Sequence, residues 1–340
     1  MTEQLLPSAA PATPSPIRLS LNESPYGPTP SVLRALRAWA MTANRYPEFV
    51  PDRLRGVIAA HVGVPPEWVT VGPGATGLFE RILAEAAHGD EIVGATPTFD
   101  GYPMLANAAG VPYRGVALRP DGTVDVDAIA AAVTSRTYAV VLCSPHNPTG
   151  SVVDPDALMR LLDGVPPRVR VILDEAYLEF AEHALGLDPL QTGVLAATRA
   201  NLVVLRTFSK AFGLAGVRAG YAFGSGWAAA ALRAAETPFS VGPAAEAAVP
   251  AALDALAEVR RRVHRIVAER ERLAAGLRAA GANPLPSMAN FLYLPAREPA
   301  ELSDRLARAG ILVRSCATGV RISVGTAHDT DAVLDAMRRR

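Results

Sequence analysis

Cysteine is scarce: Cys143 and Cys316 are the only two in 340 residues, and their distance apart along the chain excludes a disulfide framework. A reducing compartment, the cytoplasm, is the expected setting. Net charge is absent as well, because 33 Lys and Arg balance 33 Asp and Glu. That balance gives no electrostatic ground for expecting nucleic acid or an anionic membrane as a partner. The clusters Arg260-Arg261-Arg262 and Arg338-Arg339-Arg340 fall in helical patterns rich in Ala and Glu and read as solvated faces. Nowhere do about 18 uncharged apolar residues follow one another free of Gly and Pro, so a soluble protein is expected. Residues 1–16 lack both a basic start and a long apolar block and read as a flexible tail rather than a signal peptide. No metal site is expected.

What is present is a chain half hydrophobic in composition, long enough for one large domain and a smaller one. Short β-branched runs alternate with helical patterns from about Pro51 onward: Trp68 to Val71, Glu91 to Val93, Ala139 to Leu142, Val169 to Leu173 and Leu202 to Leu205. Apolar runs without polar alternation predict a mainly parallel sheet covered by helices on both faces. A long helical pattern spans Ala244 to Ala280. Strand candidates follow at Asn290 to Leu294, Ile311 to Val313 and Val320 to Val324, with a helical stretch from Pro299 to Ala309. The predicted division is a tail over 1–16, a segment over 17–44 that joins the small domain, a large domain over 45–243 and a small C-terminal α/β domain over 244–340.

Chemistry-bearing residues cluster where the predicted strands end, which is where active sites of such sheets lie. Lys210 follows the run Leu202 to Leu205 and is flanked by Ser209, Gly213 and Arg218; taken alone, a lysine so placed suits either an imine to a carbonyl cofactor or an ordinary exposed loop. Asp174 ends another strand, where it could cap a helix or pair with a protonated pyridine nitrogen, and Tyr177 stands three residues on. Asn147 lies in the turn Ser144-Pro145-His146-Asn147-Pro148-Thr149-Gly150, with His146 read as structural. The loop Gly72-Pro73-Gly74-Ala75-Thr76-Gly77 joins a strand to a helix, so its free amides could cradle a phosphate. It also matches the dinucleotide pattern, although Pro73 and the lack of an acid after Val93 speak against that. Phe99 could stack on a ring or belong to the core. Arg218 could hold a phosphate, and Arg314 and Arg321, each beside an apolar strand, could hold a substrate anion or form surface pairs.

In order and spacing the set resembles the class I and II aminotransferases of the aspartate-aminotransferase type of fold, and among them the histidinol-phosphate aminotransferase-like branch. The similarity runs from Leu19-Ser20-Leu21-Asn22-Glu23-Ser24-Pro25-Tyr26-Gly27 and Asn44-Arg45-Tyr46-Pro47 to Arg321-Ile322-Ser323-Val324-Gly325-Thr326. It implies pyridoxal 5'-phosphate (PLP) as cofactor. Lys210 is then the Schiff-base lysine, Asp174 the partner of the pyridine nitrogen, and Asn147 and Tyr177 the holders of the ring oxygen. Gly74, Ala75, Thr76, Ser209 and Arg218 form the phosphate cup, with Phe99 as the stacking aromatic. The resemblance further implies a homodimer in which Tyr46 reaches the neighbouring subunit's cofactor phosphate. Tyr26 lines the substrate entrance, and Arg321, with Arg314 nearby, takes the substrate's carboxylate or phosphate. The implied reaction moves an amino group from histidinol phosphate or an aromatic amino acid to a 2-oxo acid.

The sequence also departs from that pattern. The stretch Ser315 to Val320 is short, Ser240 stands where many members carry asparagine, and Gly77-Leu78 replaces a common acidic pair. Three other readings accompany the first: a PLP lyase or decarboxylase on the same fold, an NAD oxidoreductase using the glycine loop, and a non-enzymatic module that keeps the fold.

Overall fold

A computed structural model describes residues 15–186, 188 and 191–338. The tail expected over residues 1–16 lies, apart from 15 and 16, outside the described residues, as do Arg339 and Arg340. The strands in chain order are β1 (Ile17–Arg18), β2 (Val69–Gly72), β3 (Glu91–Thr96), β4 (Tyr113–Ala117), β5 (Thr137–Cys143), β6 (Arg170–Asp174), β7 (Leu202–Thr207), β8 (Gly220–Phe223), β9 (Phe291–Pro295), β10 (Ile311–Leu312), β11 (Arg314–Cys316) and β12 (Gly319–Ser323). A seven-stranded sheet runs β2-β8-β7-β6-β5-β3-β4. Every pairing among its β7, β6, β5, β3 and β4 strands is parallel, whereas β8 pairs antiparallel with both β2 and β7. The unbroken burial of β6 explains why its sequence shows no polar alternation: helices cover both faces.

Two strands of this sheet, β4 and β8, were not foreseen. β4 sits at the edge and is largely solvent-facing, and β8 is only four residues long, so neither carries a long apolar run. The strand expected from Trp68 begins at Val69 because Pro66–Trp68 forms a 3-10 turn. The helical pattern over 244–280 is two helices, Pro243–Asp254 and Leu256–Ala279, that part at Ala255.

A second sheet, β11-β12-β9, is antiparallel, and β1 pairs with β10 beside it. Its apolar face packs with Leu273, Leu277, Leu306 and Val333 into a smaller cluster that also takes Leu19. The boundary expected near 244 falls at the start of a helix whose Ala245, Ala248 and Val249 belong to the larger cluster, as do Val259, Val263 and Ile266 of the next helix. The chain changes cores within that second helix, between Ile266 and Leu273. The amino-terminal segment is shared in the same way, with Leu19 in the smaller cluster and Val32 in the larger.

Local signals set the ends of the elements. Asp154 accepts a hydrogen bond from the Ala157 amide at 2.8 Å, with Pro155 opening the helix Pro155–Gly164, a favoured start. Gly63 closes the helix Asp52–Val62 in the left-handed conformation, φ 80°, which glycine adopts without strain.

Leu205, fully buried in β7, lies beneath the residues that carry the chemistry. Leu205→Ala is expected to destabilise the fold by about 2–5 kcal/mol, seen as a lower denaturation midpoint at unchanged slope.

Candidate active site

β5, β6 and β7 are neighbours with matched ends: Cys143 pairs with Asp174, and Asp174 with Leu205. The turns that leave these ends therefore open on one place. A cavity of about 390 Å³ lies there. Of the residues picked out from sequence, Ala75, Thr76, Phe99, Asn147, Asp174, Tyr177, Ser209, Lys210, Arg218, Arg314 and Arg321 all line it.

Asp174 is buried, 6% exposed, and burial pushes its carboxyl pKa up, opposed by hydrogen bonds from Tyr102 and Ala176 and by the charge of Lys210. The Tyr102 hydroxyl donates to Asp174 Oδ2 at 2.6 Å, and the Ala176 amide to Oδ1 at 3.0 Å. A desolvated carboxylate of this kind favours a cationic partner in the cavity. Lys210 is held differently. Its Nζ donates to the Leu21 carbonyl at 2.9 Å, and burial, reinforced by Arg321, lowers its pKa to about 8, which raises the fraction of free amine near neutrality.

Tyr177 receives two amides at its hydroxyl, Asn22 Nδ2 at 2.9 Å and Asn147 Nδ2 at 3.4 Å. With its acceptor positions taken, its own proton remains for a third group, and burial keeps the phenol protonated by raising its pKa. Asn147 is oriented from behind: Arg321 Nη1 donates to its Oδ1 at 2.5 Å, and Nη2 donates to the Ser20 carbonyl at 2.6 Å. Both partners of Arg321 are neutral. Its buried Nε has no partner among the described residues, so the guanidinium keeps both its charge and a donor for an anion.

At the other end of the cavity, the helix Gly74–Leu83 starts without a side-chain cap, which leaves its first amides as anion donors. Arg218 sits beside them, in the left-handed conformation at φ 58°, with Nη1 2.8 Å from the Ala215 carbonyl and 3.4 Å from Ser209 Oγ. Gly74 has φ 80°, and a Cβ there would come within 2.5 Å of Arg218 Nη2. A Cβ on Gly220 would stand 2.5 Å from the Ala75 amide nitrogen. The cup therefore needs glycine at both positions. An anion cup, a buried carboxylate and a depressed lysine around one cavity are the donor set that fits PLP.

Two predicted residues lie elsewhere. Tyr26 lines a neighbouring cleft with Glu23 and Ser209, under the Arg262 guanidinium 5.8 Å from its ring centroid. Arg262 also donates to the Gly27 carbonyl, so one member of the basic cluster read as solvated instead clasps this segment. Tyr46 is 86% exposed, packed against Phe239 with ring centroids 5.0 Å apart. Sequence reasoning passed over three participants. Phe99 meets Tyr102 edge-on, and it is Tyr102 that reaches Asp174. Phe99 precedes the helix Gly101–Ala108, and Tyr102 lies in its first turn. Asn22 is buried at φ 54°, a conformation asparagine tolerates better than most residues. Asp100 bonds Arg314 across the cavity mouth. His146 is buried, its Nδ1 2.9 Å from Thr149 Oγ1, and burial lowers its pKa to about 3, so it stays neutral.

The sequence profile of aminotransferase class I and II matches residues 14–339. The chain belongs to this family of PLP-dependent enzymes and is a transaminase. It is closely related to two branches of it. An aromatic amino acid aminotransferase of Mycolicibacterium smegmatis is 42% identical over 98% of this chain and 93% of its own length. One from Mycolicibacterium paratuberculosis is 41% identical over 94% and 91%. The crystal structure of a histidinol-phosphate aminotransferase from Sinorhizobium meliloti in complex with PLP superposes with a TM-score of 0.86 at 27% identity, covering 95% of this chain and 90% of that one.

The depressed Lys210 pKa has a thermodynamic consequence. Between about pH 8 and the ordinary lysine range of about 10.4, the unfolded chain holds a proton that the folded cofactor-free protein has released. Stability must then rise with pH across this window. Lys210→Met should lack that part of the rise in denaturation midpoints measured at both ends; identical slopes for the two proteins would contradict the depressed pKa.

Proposed function

We propose that this aminotransferase draws its amino group from an aromatic amino acid, passes it to a 2-oxo acid, and works as a cytoplasmic homodimer. The observation that carries this is the joint placement of Lys210, Asp174 and Arg321 around one cavity whose wall also includes apolar side chains. Phe99, Met104 and Leu21 form part of that wall, a surface suited to a planar hydrocarbon side chain rather than a charged one. The mycobacterial relatives named for aromatic amino acids support the same reading. So does the short stretch between Arg314 and Arg321.

When bound, PLP supplies the electron sink for the pair of electrons left at the substrate Cα. The chain's own residues do the rest. Lys210 Nζ, its pKa lowered to about 8 so that more of it is free amine than for an ordinary lysine, takes the Cα proton and returns it to the neighbouring carbon as general base and acid. Asp174 holds a cationic nitrogen by its unneutralised carboxylate, with Tyr102 and Ala176 fixing its two oxygens. Tyr177 and Asn147 offer an O–H and an N–H toward a phenolate oxygen. Ala75, Thr76, Ser209 and Arg218 bind the phosphate. Arg321 pairs with the substrate carboxylate, which sets the Cα over the reacting groups.

The dimer rests on a separate feature. Met41, Tyr46, Phe49 and Phe239 expose large apolar surfaces, and the rings of Tyr46 and Phe49 both meet Phe239, at 5.0 and 5.2 Å. Such a patch on an otherwise charged surface marks an interface. Tyr46 lies outside its own chain's cavity, which suits a contact with the partner's cofactor phosphate. No helix among the described residues is long and apolar enough to cross a membrane.

Two measurements test these assignments. Lys210→Ala should lose turnover with phenylalanine and a 2-oxo acid, while Asp174→Ala should retain bound PLP yet fall by about a hundredfold or more in rate. Near-normal turnover in either would remove that residue from the mechanism. For the shared site, Tyr46→Ala chains mixed with Lys210→Ala chains should form hybrid dimers more active than either parent, because one composite site is intact; additive activities would argue for self-contained subunits.

A further inference from the structure

Arg321 and Ser323 stand two residues apart in β12, on one face of the strand, and each holds an asparagine of the site by its side-chain oxygen. Arg321 Nη1 donates to Asn147 Oδ1 at 2.5 Å. Ser323 Oγ accepts the Asn22 backbone amide at 2.8 Å and donates to Asn22 Oδ1 at 3.0 Å. A guanidinium has no lone pair to offer, and a hydroxyl that accepts from a backbone amide has its hydrogen left for the side chain. Both asparagines therefore turn their oxygen toward β12 and their nitrogen toward Tyr177. Asn22 Nδ2 lies 2.9 Å from the Tyr177 hydroxyl and Asn147 Nδ2 lies 3.4 Å from it, so Asn22 makes the closer contact. An NH2 group can only donate. The phenol oxygen accepts from both, and its own hydrogen has to leave in a third direction. Tyr177 lines the cavity, and that direction is open there.

We propose that Asn22 is a positioning residue: its amide, oriented by Ser323, makes Tyr177 donate its proton into the cavity, toward the cofactor's ring oxygen. This rests on the role given to Tyr177 above. Nothing in a phenol selects that direction, because a hydroxyl rotates to suit whichever acceptor is nearest. The selection comes from Asn22, which is anchored before it meets the phenol. Its backbone nitrogen and Oδ1 are held by Ser323, and its carbonyl accepts Asn290 Nδ2 at 3.1 Å. Its φ of 54° lies in the left-handed region, which asparagine and aspartate enter more readily than other side chains. Asn22 thus acts through Tyr177, and two residues of the smaller core set the direction of one proton in the larger.

The test reverses the polarity of that one contact. Asn22→Asp keeps the shape and tolerates the same backbone conformation, but it presents the phenol with an acceptor, to which the Tyr177 hydrogen turns. The reading, taken on the PLP-loaded protein, is the pH midpoint of the visible absorbance change, which reports the proton between the imine nitrogen and the ring oxygen. A hydrogen bond to the ring oxygen stabilises its negative charge and lowers that midpoint, so Tyr177→Phe and Asn22→Asp should each raise it by about one pH unit. Asn22→Asp placed on Tyr177→Phe should add nothing further. Ser323→Ala, which frees the Asn22 amide to turn over, should raise the midpoint by less and also add nothing to Tyr177→Phe; it carries the test where Asn22→Asp fails to fold. A shift from Asn22→Asp that persists without the phenol is an effect of added charge and overturns the proposal. So does a midpoint that Tyr177→Phe moves and that neither Asn22→Asp nor Ser323→Ala does. If Tyr177→Phe itself leaves the midpoint in place, the role of Tyr177 fails, and that of Asn22 with it.

Discussion

A carboxylate that the fold has stripped of water is the constraint from which the rest of the site follows. Asp174 ends a strand buried along its whole length, and its hydrogen-bond donors among the described residues are one phenol and one amide. Neither removes its charge. Such a group is tolerated only where a cation can approach it, and the surroundings are arranged for that approach. The parallel pairing of β6 with β7 brings the chain of Lys210 to the same edge, and the crossing of β8 back between β7 and β2 brings Arg218 against the start of the helix Gly74–Leu83. A site that binds a cation at one end and a phosphate at the other is thus built from strand order before any single side chain is considered.

Side chains alternate across a strand, so Glu175 turns away from the cavity that Asp174 faces. Arg206 Nε donates to Glu175 Oε2 at 2.8 Å, and Thr192 Oγ1 donates to the same oxygen at 3.0 Å. Burial pushes the Glu175 pKa up to about 7, with Arg206 opposing the shift. A buried pair of this kind contributes little net stability, but breaking it leaves an uncompensated charge. Its value lies in register. Arg206 and Glu175 cross-link the ends of β7 and β6, the two strands whose next residues lead into the reacting groups, so a slip of either strand would unpair a buried charge.

Much of this arrangement was legible in the sequence because buried parallel strands announce themselves as apolar runs, and each chemically active residue follows such a run. Lys210 after Leu205, Asp174 after Leu173 and Asn147 after Cys143 all follow that rule. Where the rule is silent, reading failed. Asn22 lies in a segment with neither strand nor helix periodicity, and only its backbone conformation and four hydrogen bonds to Ser323, Tyr177 and Asn290 reveal its role. Tyr102 was overshadowed by Phe99, because sequence alone cannot tell which of two neighbouring aromatics reaches Asp174. Asp100 and Arg314 are over two hundred residues apart in the chain, and no local pattern connects them. β8 was missed for a related reason: four residues between a loop and a helix carry too little periodicity to register, although the strand sets the position of the phosphate cup.

Hydrogen bonds at the site join the elements of the two cores. Asn22 takes part in bonds to Ser323 of β12 in the smaller core and to Tyr177 in the larger, and Arg321 of the smaller core orients Asn147 of the larger. These contacts make the position of the C-terminal unit a variable of the chemistry. A shift of β12 would move the Arg321 guanidinium, proposed above to bind substrate, and through Asn147 and Asn22 it would also move the two amides that occupy the Tyr177 hydroxyl. Substrate binding and the holding of the ring oxygen therefore rest on one set of buried hydrogen bonds. On the proposed reading, a substrate carboxylate bound at Arg321 would reinforce the bond that orients Asn147, so the binding energy of a group remote from the reacting carbon would be available to organise the atoms that react.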